Sequence, residues 1–287
     1  MCTMKDKGKW DIYIQPKSNW FELRLLDVWK YRDLIFMFVK RDFIAQYKQT
    51  ILGPIWFLIQ PLITTIVFIV VFGKIAGLST DGQPQILFYL SGVLFWNYFS
   101  STFLKISETF LANTNIFSKI YFPRLVVPIS VVLSSMISFG IQLILFVIIF
   151  TYYLISKDFY PAINSGILLF PILVLIMAAL SIGMGIIISS MTIKYRDLRY
   201  LVTFGVPLLM YATPIVYPLS SIKDPTFIFL LKLNPMTGII ETFRYSIFGI
   251  GVLDIYTLFY SAFITIILLI LGIAIFNKVE KNFMDSI

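Results

Sequence analysis

Residues 125–155 form 31 consecutive positions without a charged side chain. A helix rises about 1.5 Å per residue, so about 20 apolar residues cross the roughly 30 Å hydrocarbon layer of a bilayer. Five other uncharged runs meet or approach that length: 54–73, 86–104, 166–192, 200–217 and 255–276. No water-soluble fold can bury six such runs in 287 residues. Composition agrees, with 13% charged residues against about 25% in soluble domains. The expectation is an all-α integral membrane protein with six transmembrane helices. Pro128 should kink or tilt the third span, while Gly183 and Gly185 allow close helix contact in the fourth.

The entry into the first span sets the plan of the N-terminal part. The stretch from Arg41 to Leu62 begins charged and ends apolar, and Gly53-Pro54 marks the switch. Proline suits the first turn of a helix, where its missing N–H has no intrahelical partner. One helix should therefore end near Gly53 and the next begin at Pro54. In the earlier helix Phe36, Val39, Phe43 and Tyr47 share a face that excludes Arg41 and Lys48. That pattern suits a helix lying along the membrane surface. Trp10, Trp20 and Trp29 fit the same interface. Residues 1–53 then form a cytoplasmic segment, 54–277 the membrane domain and 278–287 a cytoplasmic tail.

Charge orients the chain. With the N-terminus inside, the cytoplasmic segments hold 18 of the 23 lysines and arginines, and the positive-inside rule favours both termini in the cytoplasm. The net charge of +8 then reports orientation and affinity for anionic lipid, not nucleic-acid binding. The one cysteine, Cys2, excludes an intrachain disulfide, and no apolar run in the first 50 residues reads as a signal peptide.

Chemistry is constrained by what the runs lack. The six spans contain no Asp, Glu, Lys or Arg, and the chain has no histidine. Ion-coupled transporters usually need intramembrane ionisable groups, so ion-driven transport is disfavoured. No nucleophile with a base, paired buried carboxylates or metal-ligand cluster is visible, which disfavours a membrane-embedded transferase. No phosphate-binding loop of the G-x-x-x-x-G-K-[S/T] type occurs, so any ATP hydrolysis belongs to another subunit.

Three short motifs carry a resemblance. Tyr47-Lys48-Gln49-Thr50-Ile51-Leu52-Gly53-Pro54-Ile55-Trp56 fits a Tyr-x-x-(Thr/Ser)-x-Leu-Gly-Pro-x-Trp element. Tyr121-Phe122-Pro123-Arg124 contains Phe-Pro-Arg, and Lys194-Tyr195-Arg196-Asp197-Leu198 contains Tyr-Arg-Asp before the fifth span. In this order the chain resembles the permease subunit of ABC-type polysaccharide exporters, the class that moves O-antigen, capsule polymers or teichoic acids. The resemblance implies a homodimeric permease in the cytoplasmic (inner) membrane, two ATP-binding cassette subunits that bind ATP and Mg, and a lipid-linked polysaccharide substrate. No cofactor belongs to this chain itself. An exporter of drugs or small lipids shares the topology and stays open.

Candidate residues fall into three groups. Arg41, Asp42, Tyr47, Lys48, Phe122, Pro123, Arg124, Tyr195, Arg196 and Asp197 are placed to couple to an ATPase, with plain membrane anchoring, or an Asp197 helix cap, as the competing roles. Gln60, Trp96, Asn97, Tyr98 and Gln142 are polar or amphipathic positions within spans. They could line a sugar path or hold the bundle together by interhelical hydrogen bonds. Asn234-Pro235 offers an N-cap followed by Pro at the first helical position. It begins a stripe of Met236, Ile239, Ile240, Phe243 and Ile247, with Glu241 and Arg244 off it and close enough to pair. With 227–231 before it, this segment predicts two short re-entrant helices at an external gate, which the family resemblance also implies.

Overall fold

The computed structural model describes residues 25–48, 50–117, 119–120, 122–156, 159–249 and 254–284. Trp10, Trp20, Cys2 and the last three residues of the tail lie outside them. The described residues are helical throughout, without a strand. In order they form α1 (Leu25–Lys30), α2 (Arg32–Tyr47), α3 (Gly53–Ile75), α4 (Gln85–Ser107), α5 (Thr109–Ala112), α6 (Thr114–Phe117), α7 (Val126–Ser156), α8 (Ser165–Thr192), α9 (Leu198–Leu209), α10 (Pro225–Lys232), α11 (Pro235–Phe248) and α12 (Ile255–Met284). Four of them, α3, α7, α8 and α12, are long and apolar enough to cross a membrane. The protein is a multi-pass membrane protein.

α4 sits at the centre. It has 23 residues, about 34 Å of helix, and 16 of them are buried. It packs against α3, α7, α8, α9 and α11, so little of it is left for lipid. α8 lies between α4 and α12. The contact with α12 is made by backbone: a Cβ on Gly272 would stand 2.7 Å from the Gly183 carbonyl oxygen, and one on Gly183 would stand 2.8 Å from the Leu268 carbonyl carbon. Small residues let helix backbones approach in this way. Gly185 meets Ile106 of α4 on the other side.

Several expected details are corrected. α2 stops at Tyr47, and a turn leads to Gly53, whose φ of +51° is in the left-handed region. Phe36, on the face expected along the membrane surface, is 66% exposed. The buried line is Val28, Ile35 and Phe38, because α7 and Phe122 pack on that side. α7 runs unbroken through Pro128, which occupies its first turn, where no intrahelical N–H is needed. α9 has only 12 residues; beyond Leu209 the chain continues as turns.

Contacts tie the bundle together at both of its ends. At the α2 end, Phe43 stacks on Phe57, Arg199 pairs with Glu108, and Phe110 packs on Phe276 of α12. At the far end, Ser220 bonds Asp81, the Asn164 N–H donates to the Ser246 carbonyl, and Lys232 pairs with Asp254. The chain from Arg199 to Ser220 therefore passes between the ends through α9 and its turns.

Candidate functional site

The residues that matched the three motifs gather at the α2 end. Phe38 of α2 lies 5.9 Å from Phe122, ring centre to ring centre, and Phe122 lies 5.7 Å from Phe117. The Arg124 guanidinium sits 5.4 Å over Phe117 and 5.9 Å over Phe110, within cation–π range. The Phe110 N–H donates to Ser189 Oγ of α8 at 3.3 Å. Phe122 and Arg124 are buried. Phe122-Pro123-Arg124 thus turns inward and ties α2 to the loop between α4 and α7.

The other motif turns outward. Tyr195, Arg196 and Asp197 are all exposed. Asp197 stands at the start of α9 but makes no side-chain capping bond. Next to them Arg199 Nε contacts Glu108 Oε1 at 2.6 Å, which joins this loop to the one carrying Arg124. Arg41 lies over the Phe38 ring at 4.6 Å and pairs with Asp42 at 2.8 Å, while Lys48 is exposed. Tyr47 ends α2. Of the candidate residues at this end, Arg41, Lys48 and the 195–197 triplet are exposed. Arg124 lies buried beneath them.

The five span residues do not share one surface. Gln60 is exposed on α3. Trp96 is buried and lines an apolar cavity of about 380 Å³ with Phe99, Met184 and Leu230. Tyr98 is buried against Phe139 of α7, 5.3 Å between rings, and Asn97 is half-buried. Tyr98 Oη and Gln142 Oε1 are enclosed without a hydrogen-bond partner. Three successive helix positions point about 100° apart, so Trp96, Asn97 and Tyr98 divide between α4's neighbours.

At the far end the local reading of α11 holds in detail. Asn234 Oδ1 accepts from the Met236 N–H, Pro235 opens the helix, and Gly249 closes it at φ +70°. Met236, Ile239, Ile240, Phe243 and Ile247 are all buried. Glu241 and Arg244 do pair, at 3.5 Å. Arg244 is nonetheless buried too, contrary to its expected place off the apolar face. Its Nη1 donates to the Pro214 carbonyl, and its Nη2 to those of Phe88 (3.2 Å) and Ile215 (2.9 Å). Its Nε reaches Ser91 Oγ at 3.3 Å, and the guanidinium stacks 3.7 Å over Phe88. The turns after α9 leave carbonyls that no helix satisfies, and Arg244 fills that need. Asp254 caps α12 by accepting from the Thr257 N–H and Oγ1 and receives Lys232 Nζ at 2.6 Å. These bonds lower its carboxyl to a pKa of about 2. Between α10, α11 and the start of α12 lies a cavity of about 600 Å³.

Sequence reasoning did not find the partners Asp81, Lys232 and Asp254, nor the Glu108–Arg199 link. Only the placement of Asp254 just before the last apolar run hinted at a cap.

The structure is an all-helical membrane bundle with an aromatic-basic cluster at one end and two short helices at the other. A family model described as "ABC-2 type transporter" matches residues 33–248, and the chain belongs to that family. It is 26% identical to the O-antigen export system permease protein RfbA of Myxococcus xanthus, over 91% of this chain and 98% of that one. It is 28% identical to the protein of the same name from Klebsiella pneumoniae, over 88% and 94%. It is 22% identical to the polysialic acid transport protein KpsM of Escherichia coli, over 86% and 93%.

Proposed function

We propose that this chain is the transmembrane subunit of an ATP-driven exporter that moves a lipid-linked polysaccharide across the cytoplasmic membrane, with ATP hydrolysed by a separate subunit. The observation that carries this reading is the end-to-end likeness to two O-antigen export permeases, which covers almost the whole of each relative. The chain crosses six times, through α3, α4, α7, α8, α9 with its turns, and α12. Both termini lie in the cytoplasm, as the Lys/Arg distribution supports. α10 and α11 are too short to span; they dip into the outer leaflet and gate the exit. Non-helical backbone at membrane depth needs protein or a water-filled path beside it, which suits the turns after α9 to a conduit shared between two copies of the chain.

Coupling enters through the α2 end. Two ATP-binding cassette subunits, which hold ATP and Mg, dock on Arg41, Lys48 and the 195–197 triplet. Phe38–Phe122 and Arg124 pass the movement inward. The test uses inverted membrane vesicles containing this chain, an ATPase with a phosphate-binding loop from the same gene neighbourhood, and lipid-linked polymer. ATP-dependent polymer uptake requiring both proteins is expected. Uptake independent of the ATPase, or ATP turnover without uptake, refutes the reading. Arg196→Glu lowers uptake and polymer-stimulated ATPase together, while the permease still inserts.

A further inference from the structure

The far-end cavity lies between α10, α11 and the start of α12, and it is of the size that holds small ligands, about 300–1,000 Å³. Its polar groups are unequally occupied. Lys232 is committed to Asp254, and Arg244 to three backbone carbonyls and Ser91. Asp254 is filled by Lys232 and Thr257. The remaining groups are not filled. Asp81 accepts only from Ser220 Oγ, at 2.7 and 2.8 Å, and Glu241 has only the 3.5 Å contact to Arg244. An ionised carboxylate offers about four acceptor positions, so both keep spare capacity. Thr242 also lines the cavity, is 4% exposed, and makes no side-chain hydrogen bond. Its hydroxyl therefore opens to the cavity and is free to bond whatever occupies it. Asp81 itself is held at φ +52°, the one non-glycine residue with positive φ among the described residues. Such a conformation persists only where its surroundings impose it. Tyr256 also lines the cavity and is 89% exposed, so its ring is available for stacking.

We infer that this cavity is a sugar-binding site selective for neutral glycosyl residues, with Asp81, Glu241 and Thr242 as hydrogen-bonding groups and Tyr256 as a stacking face. A neutral sugar brings several O–H donors, and one carboxylate can take two from a vicinal diol. A carboxylated or phosphorylated sugar meets two carboxylates and no uncommitted cation, so like charge excludes it. The physiological ligand, a residue of the exported polymer leaving the gate, rests on the export reading; the geometry does not. The inference narrows the substrate class to polymers whose repeats present neutral sugars.

The test is saturation-transfer NMR on the full chain in lipid nanodiscs, with methyl α-mannopyranoside, methyl N-acetylglucosaminide, glucosamine and N-acetylneuraminic acid as probes. Transfer to the two neutral glycosides is expected, with N-acetylneuraminic acid at least about tenfold weaker. Thr242→Val, which keeps the shape, and Asp81→Asn, on a loop, should each lower affinity about tenfold, the scale of one lost hydrogen bond to a charged or buried group. Thermal unfolding of both variants shows that they are folded. Absence of transfer from every neutral glycoside overturns the site. So does unchanged binding in both folded variants, equal binding of the acidic sugar, or binding of glucosamine alone. No ATP or partner enters the measurement. A chain that binds neutral glycosides but exports nothing refutes export alone, and one that exports but binds none refutes the site alone.

Discussion

Arg244 is the residue whose removal the far end should tolerate least, and the reason is its carbonyl partners rather than its carboxylate. It satisfies the backbone oxygens of Phe88, Pro214 and Ile215, all in or beside the central helix and the turns after α9. Glu241 approaches no closer than 3.5 Å. A buried carbonyl left unpaired costs about 1–3 kcal/mol, and water entering the vacated space recovers part of that. Arg244→Ala should therefore cost about 3–5 kcal/mol, in the range seen when a buried charge network is broken. Arg244→Lys keeps the charge but lacks the planar fork that serves several carbonyls at once, and about 2 kcal/mol should remain lost. Glu241→Gln should cost below about 1 kcal/mol, because the guanidinium keeps its other partners. The assay is reversible unfolding of the full chain in mixed micelles titrated with a denaturing detergent, with the Arg244→Ala, Glu241→Gln double variant closing a cycle. A coupling energy equal to the whole Arg244→Ala loss would show that the ion pair holds the site, and the carbonyl argument would fail. Wild-type stability of Arg244→Lys would refute it as well.

Other expectations follow from the same structure. Gly272→Ala and Gly183→Ala push a methyl into backbone that cannot yield and should each cost about 1–3 kcal/mol; a melting temperature within error of wild type would contradict the close contact of α8 and α12. Tyr98→Phe removes an enclosed hydroxyl without a partner, so stability should hold or rise by about 1 kcal/mol, and a clear loss in the same unfolding assay would reveal a partner. Asp254 has a folded pKa of about 2, below the roughly 3.9 of an unfolded aspartate. Its contribution is complete above about pH 4 and fades as pH falls through 2. Hydrogen exchange in α10 should rise over that window and be raised already at neutral pH in Asp254→Asn, and an unchanged α10 in that variant would sink the assignment.

What was legible in the sequence was what depends on short-range chemistry. Asn234-Pro235 and Gly249 bound α11 because capping involves only neighbouring residues, and Glu241 reaches Arg244 because three positions make one helical step. Four of the six uncharged runs marked helices long and apolar enough to cross a membrane. What failed depended on neighbours distant in the chain. α2 carries apolar residues on both sides, with Phe36 and Met37 exposed and Ile35 and Phe38 buried, so its sequence alone does not say which side meets the bundle. Only the position of α7 and Phe122 selects between them. Arg124 was legible only as a motif member: a motif states which residues recur and not which way they point, and the guanidinium packs on the Phe110 and Phe117 rings.

The central helix shows why hydropathy alone ranks these segments poorly. α4 is not among the four helices apolar enough to stand in lipid unaided, yet it is more enclosed than any of those four. A helix facing lipid must be apolar on its outer side, because hydrocarbon offers no hydrogen bonds. A helix wrapped by other helices faces protein, and protein can accept Ser91, Thr102 and Ser107 in its interior. Ser91 and Ser107 return their hydroxyls to the α4 backbone, to the Phe88 and Leu104 carbonyls. The same reasoning explains α9. Its 12 helical residues are too few to cross, and the turns that continue it depend on carbonyl partners from elsewhere, which Arg244 supplies from α11. The turns after α9 and the one buried arginine described at the far end are therefore a single structural unit. A substitution that shortens the reach of Arg244 should loosen the turns after α9 before it disturbs α11 itself, whose own cap at Asn234 and apolar face remain intact. Hydrogen exchange resolved by segment distinguishes the two: in Arg244→Lys, protection should fall first over 210–217, and an earlier loss within α11 would refute the dependence of α9's turns on this side chain.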